Sequence, residues 1–182
     1  MSSTWVVAPT CLPLLVRRCH ACASDRFRAN GKFRVNAHHK LLDAWLLALC
    51  TACGETAKFT VFERTNVRSV RPDMLELLHG NDPSLAAELL QDPRVQRLNR
   101  FALDWTGAWR LDTGGSDHLD REVVDVSVRF GAQIPVRPVA LIAEAFGLSR
   151  GEVKRLIDEG KLVAAVRLTG KISGDFTFTL KA

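Results

Sequence analysis

Cys19-His20-Ala21-Cys22 and Cys50-Thr51-Ala52-Cys53 are two C-x-x-C pairs separated by 27 residues. Each pair can turn around one cation with both sulfurs on the same side, and two such turns complete a tetrahedral site of four thiolates. The segment between the pairs has the length of a β-hairpin and contains strand-like stretches. The sequence therefore predicts a zinc ribbon whose ligands are the four cysteines Cys19, Cys22, Cys50 and Cys53.

The number of protein ligands decides what such a site can do. Four thiolates saturate zinc, whereas catalytic zinc sites usually keep three protein ligands and one open position. We therefore expect one structural zinc per chain. The alternative is a redox dithiol, because a single C-x-x-C is also typical of thioredoxin-like proteins, although no βαβ pattern lies nearby.

Other potential ligands lie close to the pairs in the sequence. Cys11 falls outside the pattern and is interpreted as a small buried hydrophobe, with replacement of a ligand as the alternative. His20, His38 and His39 could also replace a missing thiolate, although we interpret them as solvated residues of the hairpin.

The composition is that of a globular protein. Of the 182 residues, 47% are hydrophobic and 25% are charged, close to the average for soluble domains. The longest uncharged apolar run, Ala44 to Cys50, is far shorter than the roughly 20 residues of a membrane-spanning helix, and no export signal is recognisable. We therefore expect no membrane partner and a cytoplasmic location, where thiols stay reduced.

Charge divides the chain into three blocks. Residues 1–71 carry 11 Lys+Arg against 4 Asp+Glu, residues 72–125 carry 5 against 11, and residues 126–182 carry 9 against 5. Such asymmetry is typical of a surface with separate binding faces. We predict three parts, a zinc ribbon over 1–71, a helical segment and loop over 72–121, and a C-terminal domain over 122–182. The sequence leaves the oligomeric state open.

The central block has the punctuation of helices. Pro72, Pro83 and Pro93 each stand where a helix would begin, because the missing amide proton of proline costs nothing in the first turn. Asp82 and Asp92 precede two of these prolines and are suitable N-caps.

The longest helical pattern follows Pro93. Apolar residues recur there at three- and four-residue steps as far as Trp109, which predicts one helix with Trp105 and Trp109 in the core. A turn-rich stretch over 112–121 then precedes an alternating strand from Glu122 to Phe130. Short strands in the first block and helices in the second make the predicted fold class α+β.

Several residues in the first block match a known pattern. The run Lys32-Phe33-Arg34-Val35-Asn36-Ala37 is followed by Lys40, Leu42-Asp43, Trp45-Leu46 and Cys50, and later by Phe59 and Glu63-Arg64. This arrangement resembles the bacterial family known as domain of unknown function 1062, over essentially the whole chain. Members of that family look like a zinc ribbon followed by a helical segment. The resemblance implies the four cysteines as ligands and implies no activity.

The third block contains a predicted helix pair. Pro138 begins the first helix, and Ser149-Arg150-Gly151-Glu152 is a capping box that begins the second. Arg150 and Lys154 are four residues apart on one face of the second helix, with Arg155 beside them, and apolar residues occupy another face. The second helix is therefore predicted to have a basic face and an apolar face.

This helix pair resembles the alpha-L RNA-binding motif of a small-subunit ribosomal protein, many pseudouridine synthases and bacterial tyrosyl-tRNA synthetases. The match extends without a gap from Arg137 to Lys161 and returns at Gly174-Asp175. In those proteins the second helix and the turn after it bind RNA phosphates. The resemblance implies that the same role falls here to Arg150, Lys154, Arg155 and Lys161.

The chain also departs from the alpha-L pattern. Val139 stands where an aspartate is usual, Asp158 where a base is common, and Ala165-Val166 where Asn-Gly is usual. An ordinary solvated basic face is therefore the alternative interpretation of the second helix.

The function that these features predict is binding rather than catalysis. We expect a zinc-stabilised, non-catalytic RNA-binding protein, associated with ribosomal or transfer RNA. The alternative is a protein-interaction or regulatory module that uses the zinc ribbon as a scaffold. Asp112-Thr113-Gly114 spells the aspartic-protease triplet but occurs once, and no H-x-E motif accompanies the cysteine pairs. An enzyme with a site between the blocks is a third, weaker alternative.

Overall fold

The computed structural model of the protein describes residues 2–115 and 123–181. Within these residues it contains ten strands and five α-helices, so the chain is an α+β protein. The strands are β1 (Ser2–Pro9), β2 (Leu14–Val16), β3 (Arg26–His38), β4 (Leu41–Cys50), β5 (Thr56–Asn66), β6 (Ala102–Asp104), β7 (Trp109–Asp112), β8 (Val123–Phe130), β9 (Leu162–Ala164) and β10 (Phe176–Lys181). The helices are α1 (Pro72–His79), α2 (Pro83–Gln91), α3 (Pro93–Asn99), α4 (Pro138–Phe146) and α5 (Arg150–Asp158), and a short 3-10 turn covers Val67–Ser69.

The chain divides into two compact units. The first unit consists of Met1–Cys11 and Gly107–Ala182, and the second unit consists of Leu12–Thr106. This division differs from the three predicted parts, 1–71, 72–121 and 122–182. β1 belongs to the first unit and not with the rest of the N-terminal block, and α1 to α3 share a unit with β2 to β5. The predicted boundary between 121 and 122 lies outside the described residues.

The first unit is built on a mixed sheet with the strand order β7-β1-β8-β10-β9. β1 runs parallel to β8, with Trp5 opposite Val128, and antiparallel to β7. The Trp5 side chain is 0% exposed, and its ring lies 5.3 Å from the rings of Phe146 and Phe178. Trp5 therefore joins α4 and β10 in the core of this unit.

The second unit is built on an antiparallel sheet with the strand order β5-β4-β3-β2-β6. One face of this sheet carries buried side chains such as Phe27, Leu46 and Phe59, which share a hydrophobic cluster with Leu78 of α1 and Leu90 of α2. The helices therefore cover one face of the sheet and bury it.

Two asparagines satisfy the backbone of the sheet in the second unit. The Asn99 side chain accepts from the Thr60 N–H at 2.6 Å and donates to the Thr60 carbonyl at 2.8 Å, as a neighbouring strand would. Because β5 is an edge strand, this contact closes part of an edge that another chain could otherwise pair with. The Asn81 side chain accepts from the Phe33 N–H at 2.7 Å, where β3 bulges between Ala29 and Phe33.

The predicted helix starts are confirmed. α1, α2 and α3 begin at Pro72, Pro83 and Pro93. The carboxylate of Asp82 accepts a backbone hydrogen bond at 2.8 Å in the first turn of α2, and that of Asp92 accepts one at 2.7 Å in α3. These signals are local, so they do not depend on which unit the helices join.

The prediction of a single long helix after Pro93 is wrong. α3 ends at Asn99, because Arg100 adopts a left-handed conformation with φ of 52°. Two short strands follow in place of a helix, since β6 pairs with β2 and β7 pairs with β1. Trp105 is a core residue as predicted, with 6% of its surface exposed, whereas Trp109 is only half-buried.

The strand predicted from Glu122 to Phe130 is present as β8 over the residues that the structure describes, beginning at Val123. Its burial alternates, and Val124, Val126 and Val128 face the core. The period-two pattern was therefore sufficient to identify this strand.

Candidate functional site

The two C-x-x-C pairs flank the β3–β4 hairpin of the second unit in the sequence, one before β3 and one at the end of β4. Cys19 and Cys22 precede β3, and Cys50 is the last residue of β4, with Cys53 in the turn that follows. The hairpin brings the pairs together because Phe27, near the start of β3, is opposite Cys50. The 27-residue gap is thus filled by the predicted hairpin.

The four sulfur atoms form one compact cluster. Cys19 Sγ lies 3.8 Å from Cys53 Sγ, Cys22 Sγ lies 3.6 Å from Cys50 Sγ, and all four lie within 4.8 Å of one another. These distances are far longer than the roughly 2.05 Å of a disulfide bond. The cluster could therefore hold a metal ion between four free thiols.

Backbone amides point at the sulfurs. The N–H groups of Cys53 and Ala52 donate to Cys50 Sγ and lower the pKa of the Cys50 thiol to about 6. The Glu55 N–H donates to Cys53 Sγ, but burial and the neighbouring thiols prevail and raise the pKa of Cys53 to about 12. One thiolate therefore forms readily, and its negative charge opposes ionisation of the neighbouring thiols. A bound cation would relieve this repulsion between thiolates.

Tight turns hold the two pairs in this geometry. The Cys19 N–H donates to the Ser24 carbonyl at 2.8 Å, which closes the first turn. The Gly54 N–H donates to the Cys50 carbonyl at 3.0 Å, and Gly54 has a φ of +73°, which a residue with a side chain rarely adopts. The sequence around each pair therefore preorganises the sulfurs.

Cys11 does not take part in this cluster. It is exposed, so its interpretation as a small buried hydrophobe is wrong. The group of potential metal ligands found among the described residues contains cysteines alone, without His20, His38 or His39. The site that the structure assembles is therefore the set of four cysteines named from the spacing.

The second predicted site lies on α5 in the first unit. The predicted capping box is present, with the Ser149 N–H donating to the Glu152 carboxylate at 2.7 Å and the Glu152 N–H donating to the Ser149 hydroxyl at 3.1 Å. Gly160, with φ of +69°, ends the helix. Val153 is buried, and Arg150 and Lys154 are exposed. The helix thus has the expected apolar and basic faces.

The four predicted RNA contacts fall into two groups. Arg155 and Lys161 both lie near one acid, Glu159, at 3.9 Å and 3.4 Å. Arg150 and Lys154 have no acidic partner within 4.0 Å among residues 2–115 and 123–181. Glu159 therefore partly neutralises two of the four cations and leaves the other two free to bind an anion.

A groove beside α5 adds a residue that the sequence analysis missed. It has a volume of about 570 Å³ and lies between α5 and the segment after β9. Its lining is mainly apolar and includes Ile157 and Val166, and its charged residues are the cations Lys154 and Arg167 and the acid Asp158. In the sequence, β9 separates Arg167 from α5. The only signal for it was that further basic residues follow Lys161.

The aspartic-protease triplet is a turn. Asp112 is the last residue of β7, and its carboxylate accepts a hydrogen bond from the Gly114 N–H at 3.0 Å. The carboxylate therefore supports the left-handed Gly114, whose φ is +71°.

Comparisons with known proteins give one match. The family model "Protein of unknown function (DUF1062)" matches residues 35–168, a range that includes Cys50, Cys53 and the whole of α5. Searches of curated proteins and of solved structures returned no match. No helix in the described part of the chain is long and apolar enough to cross a membrane. Because the family model covers most of the sequence, the chain belongs to the DUF1062 family.

Proposed function

We propose that this chain is a zinc-stabilised, non-catalytic RNA-binding protein that acts in the cytoplasm. Zinc fixes the N-terminal ribbon, and the basic face of α5 binds RNA phosphates. Free thiols at a metal site are compatible with a reducing compartment. The two parts of the proposal depend on different residues and can be tested separately.

Zinc fits the four-cysteine cluster in chemistry and in size. Thiolates are soft ligands that favour zinc, and a tetrahedral site with Zn–S bonds of about 2.3 Å has sulfur–sulfur edges of about 3.8 Å. The distances of 3.6 Å and 3.8 Å between paired sulfurs are close to that edge. Four thiolates complete the coordination, so the zinc would hold the ends of the hairpin together and would activate no water.

The observation that carries the RNA proposal is the pair of exposed cations Arg150 and Lys154 on α5. They are one helical turn apart, and Arg167 contributes a third cation on the same groove as Lys154. Lysine and arginine bind phosphates without reading sequence, and this term supplies much of the affinity for RNA. The resemblance of residues 137–161 to the alpha-L motif in sequence supports the same role.

A salt series tests the RNA contacts. Arg150→Ala combined with Lys154→Ala should weaken binding to an RNA hairpin, and the slope of log affinity against log salt should decrease by about 1.4 to 1.8, because each lost phosphate contact removes about 0.7 to 0.9. Arg110→Ala combined with Lys181→Ala is the matched control, since it removes two exposed cations from the strands of the same unit. Equal slopes for the two double variants would refute the assignment to α5.

The lining of the groove supports the protein-interaction alternative. Val163 and Val166 on its rim are 52% and 38% exposed, and Val139 and Ile157 extend the apolar surface. Exposed apolar surface is typical of protein interfaces. If the wild-type protein fails to bind the RNA hairpin even at low salt, this alternative replaces RNA binding as the function of the groove.

A further inference from the structure

The sheet of the second unit has a face that the helices do not cover. Opposite residues of antiparallel strands share a face, so the register places Arg34 beside Trp45, Lys58 beside Leu47 and Arg28 beside Leu49. None of these six residues belongs to the hydrophobic cluster that the helices share with the other face. We call these six residues the open face.

The open face combines apolar and cationic side chains. Its centre is on β4, where Trp45 and Leu47 are half-buried and Leu49 is 40% exposed. Arg28 and Arg34 on β3 and Lys58 on β5 are exposed and flank this centre on both sides. The Lys58 ammonium lies 5.2 Å from the centre of the Trp45 ring. The aromatic ring and the cations therefore lie within reach of one ligand.

The charges of the second unit are unevenly divided between two segments of its sequence. Residues 12–71, which contain four of its five strands, carry 11 Lys+Arg against 4 Asp+Glu. Residues 72–106, which contain the three helices on the other face, carry 3 against 6. Neither Arg28 nor Arg34 has an acidic side chain within 4.0 Å among the residues that the structure describes. The three exposed cations Arg28, Arg34 and Lys58 therefore suit the open face to a polyanion.

We propose that the open face binds single-stranded nucleic acid, with a base stacked on Trp45 and with phosphates bound by Arg28, Arg34 and Lys58. Sequence-tolerant binding of single strands needs a positively charged surface and an aromatic ring on which a base can stack, and the open face has both. The exposed Lys58 can leave the ring for a phosphate when a base stacks there. A second copy of the chain is a poorer occupant, because two open faces would bring like charges together.

This inference does not rest on α5, because it involves residues of the other unit. The probes are a short oligouridine and a short oligothymidine, neither of which forms a hairpin. We expect oligouridine to quench tryptophan fluorescence in the wild-type protein. Trp45→Leu should abolish most of the quenching and weaken binding by about 5- to 150-fold, which is the range for losing one stacked base. Leucine keeps the apolar cover of the sheet but provides no aromatic ring.

Charge variants provide the matched comparison. Arg28→Ala combined with Arg34→Ala should lower the salt slope for oligouridine by about 1.4, whereas Arg94→Ala combined with Arg97→Ala, on the exposed surface of α3, should leave it unchanged. The Arg150→Ala, Lys154→Ala variant should keep the Trp45-dependent quenching. That result would separate the two proposals.

Three results would overturn the inference. The first is equal binding of oligouridine by wild type and Trp45→Leu, and the second is equal salt slopes for the two charge variants. The third is a wild-type protein that binds neither oligonucleotide but self-associates with increasing concentration, when Trp45→Leu abolishes this self-association. Binding of both oligonucleotides would support recognition through stacking and phosphates alone. Binding of oligouridine alone would support recognition that includes the ribose hydroxyl.

Discussion

Replacing Cys50 by serine is the most informative perturbation of the proposed metal centre. Cys50 is buried, its Sγ lies 3.6 Å from Cys22 Sγ, and its thiol is the one that backbone amides prepare for ionisation. Structural zinc in small domains contributes about 10 to 16 kcal/mol of apparent binding free energy, so four equal thiolates contribute about 2.5 to 4 kcal/mol each. The loss of one corresponds to a metal affinity that is lower by about 10²- to 10³-fold.

Competition with a chelator under reducing conditions measures this affinity. The control is Cys11→Ser, which removes an exposed thiol outside the cluster and should leave the affinity unchanged. Elemental analysis of the wild-type protein should find one zinc per chain. Equal metal affinities for Cys50→Ser and Cys11→Ser would refute the assignment of Cys50 as a ligand, and a wild-type protein without stoichiometric metal would refute the site.

Hydrogen exchange shows where the loss of metal acts. In Cys50→Ser we expect faster exchange of the amides of β3 and β4, because the cluster joins the ends of this hairpin. The amides of β8 and α4 should keep their protection, since the first unit has its own core around Trp5. Equal loss of protection in both units would contradict a local role of the metal in the second unit.

Three further predictions concern the stability of the fold. Asn99→Ala should lower the free energy of unfolding by about 1 to 3 kcal/mol in urea denaturation, because it leaves the partly buried amide and carbonyl of Thr60 without their partner. A loss below about 0.5 kcal/mol, the scatter of ordinary surface changes, would contradict this role. Trp105→Ala should cost about 3 to 5 kcal/mol by the same measurement, and more than Trp109→Ala, which removes a half-buried ring. The Arg129 guanidinium, at 2.8 Å, lowers the pKa of Asp175 below its usual value, so the Asp175 carboxylate contributes stability above that usual value and loses it as the pH falls through the lowered pKa. The difference in thermal midpoint between wild type and Asp175→Asn should therefore shrink as the pH falls into strong acid, and a difference that does not change with pH would refute this linkage.

Features set by neighbouring residues could be predicted from the sequence. The prolines at 72, 83 and 93 begin helices, and the capping box at Ser149 begins α5, because these signals act on amides within one turn. The cysteine pairs are local in the same sense, since each C-x-x-C forms one turn. Their assembly needed only the simplest long-range contact, a hairpin between strands that are adjacent in the sequence.

Features that depend on pairing between distant segments could not be predicted. The apolar spacing after Pro93 fitted a helix as far as Trp109, but β6 pairs with β2 and β7 pairs with β1, and no periodicity encodes such partners. The same limit explains why β1 was assigned to the N-terminal block. Its partner β8 lies more than 100 residues away in the sequence.

The same distinction between local and long-range features applies to the two candidate nucleic-acid surfaces. The sequence alone determined that α5 has a basic face, because residues four apart on a helix share a side. Only the tertiary structure decided that Glu159 partly neutralises both Arg155 and Lys161, that Arg167 lies on the groove of Lys154, and that Trp45 lies among cations from two neighbouring strands. Charge and hydrophobic period can be computed from a linear chain, but which side chains face one another depends on the register of strands and the packing of helices.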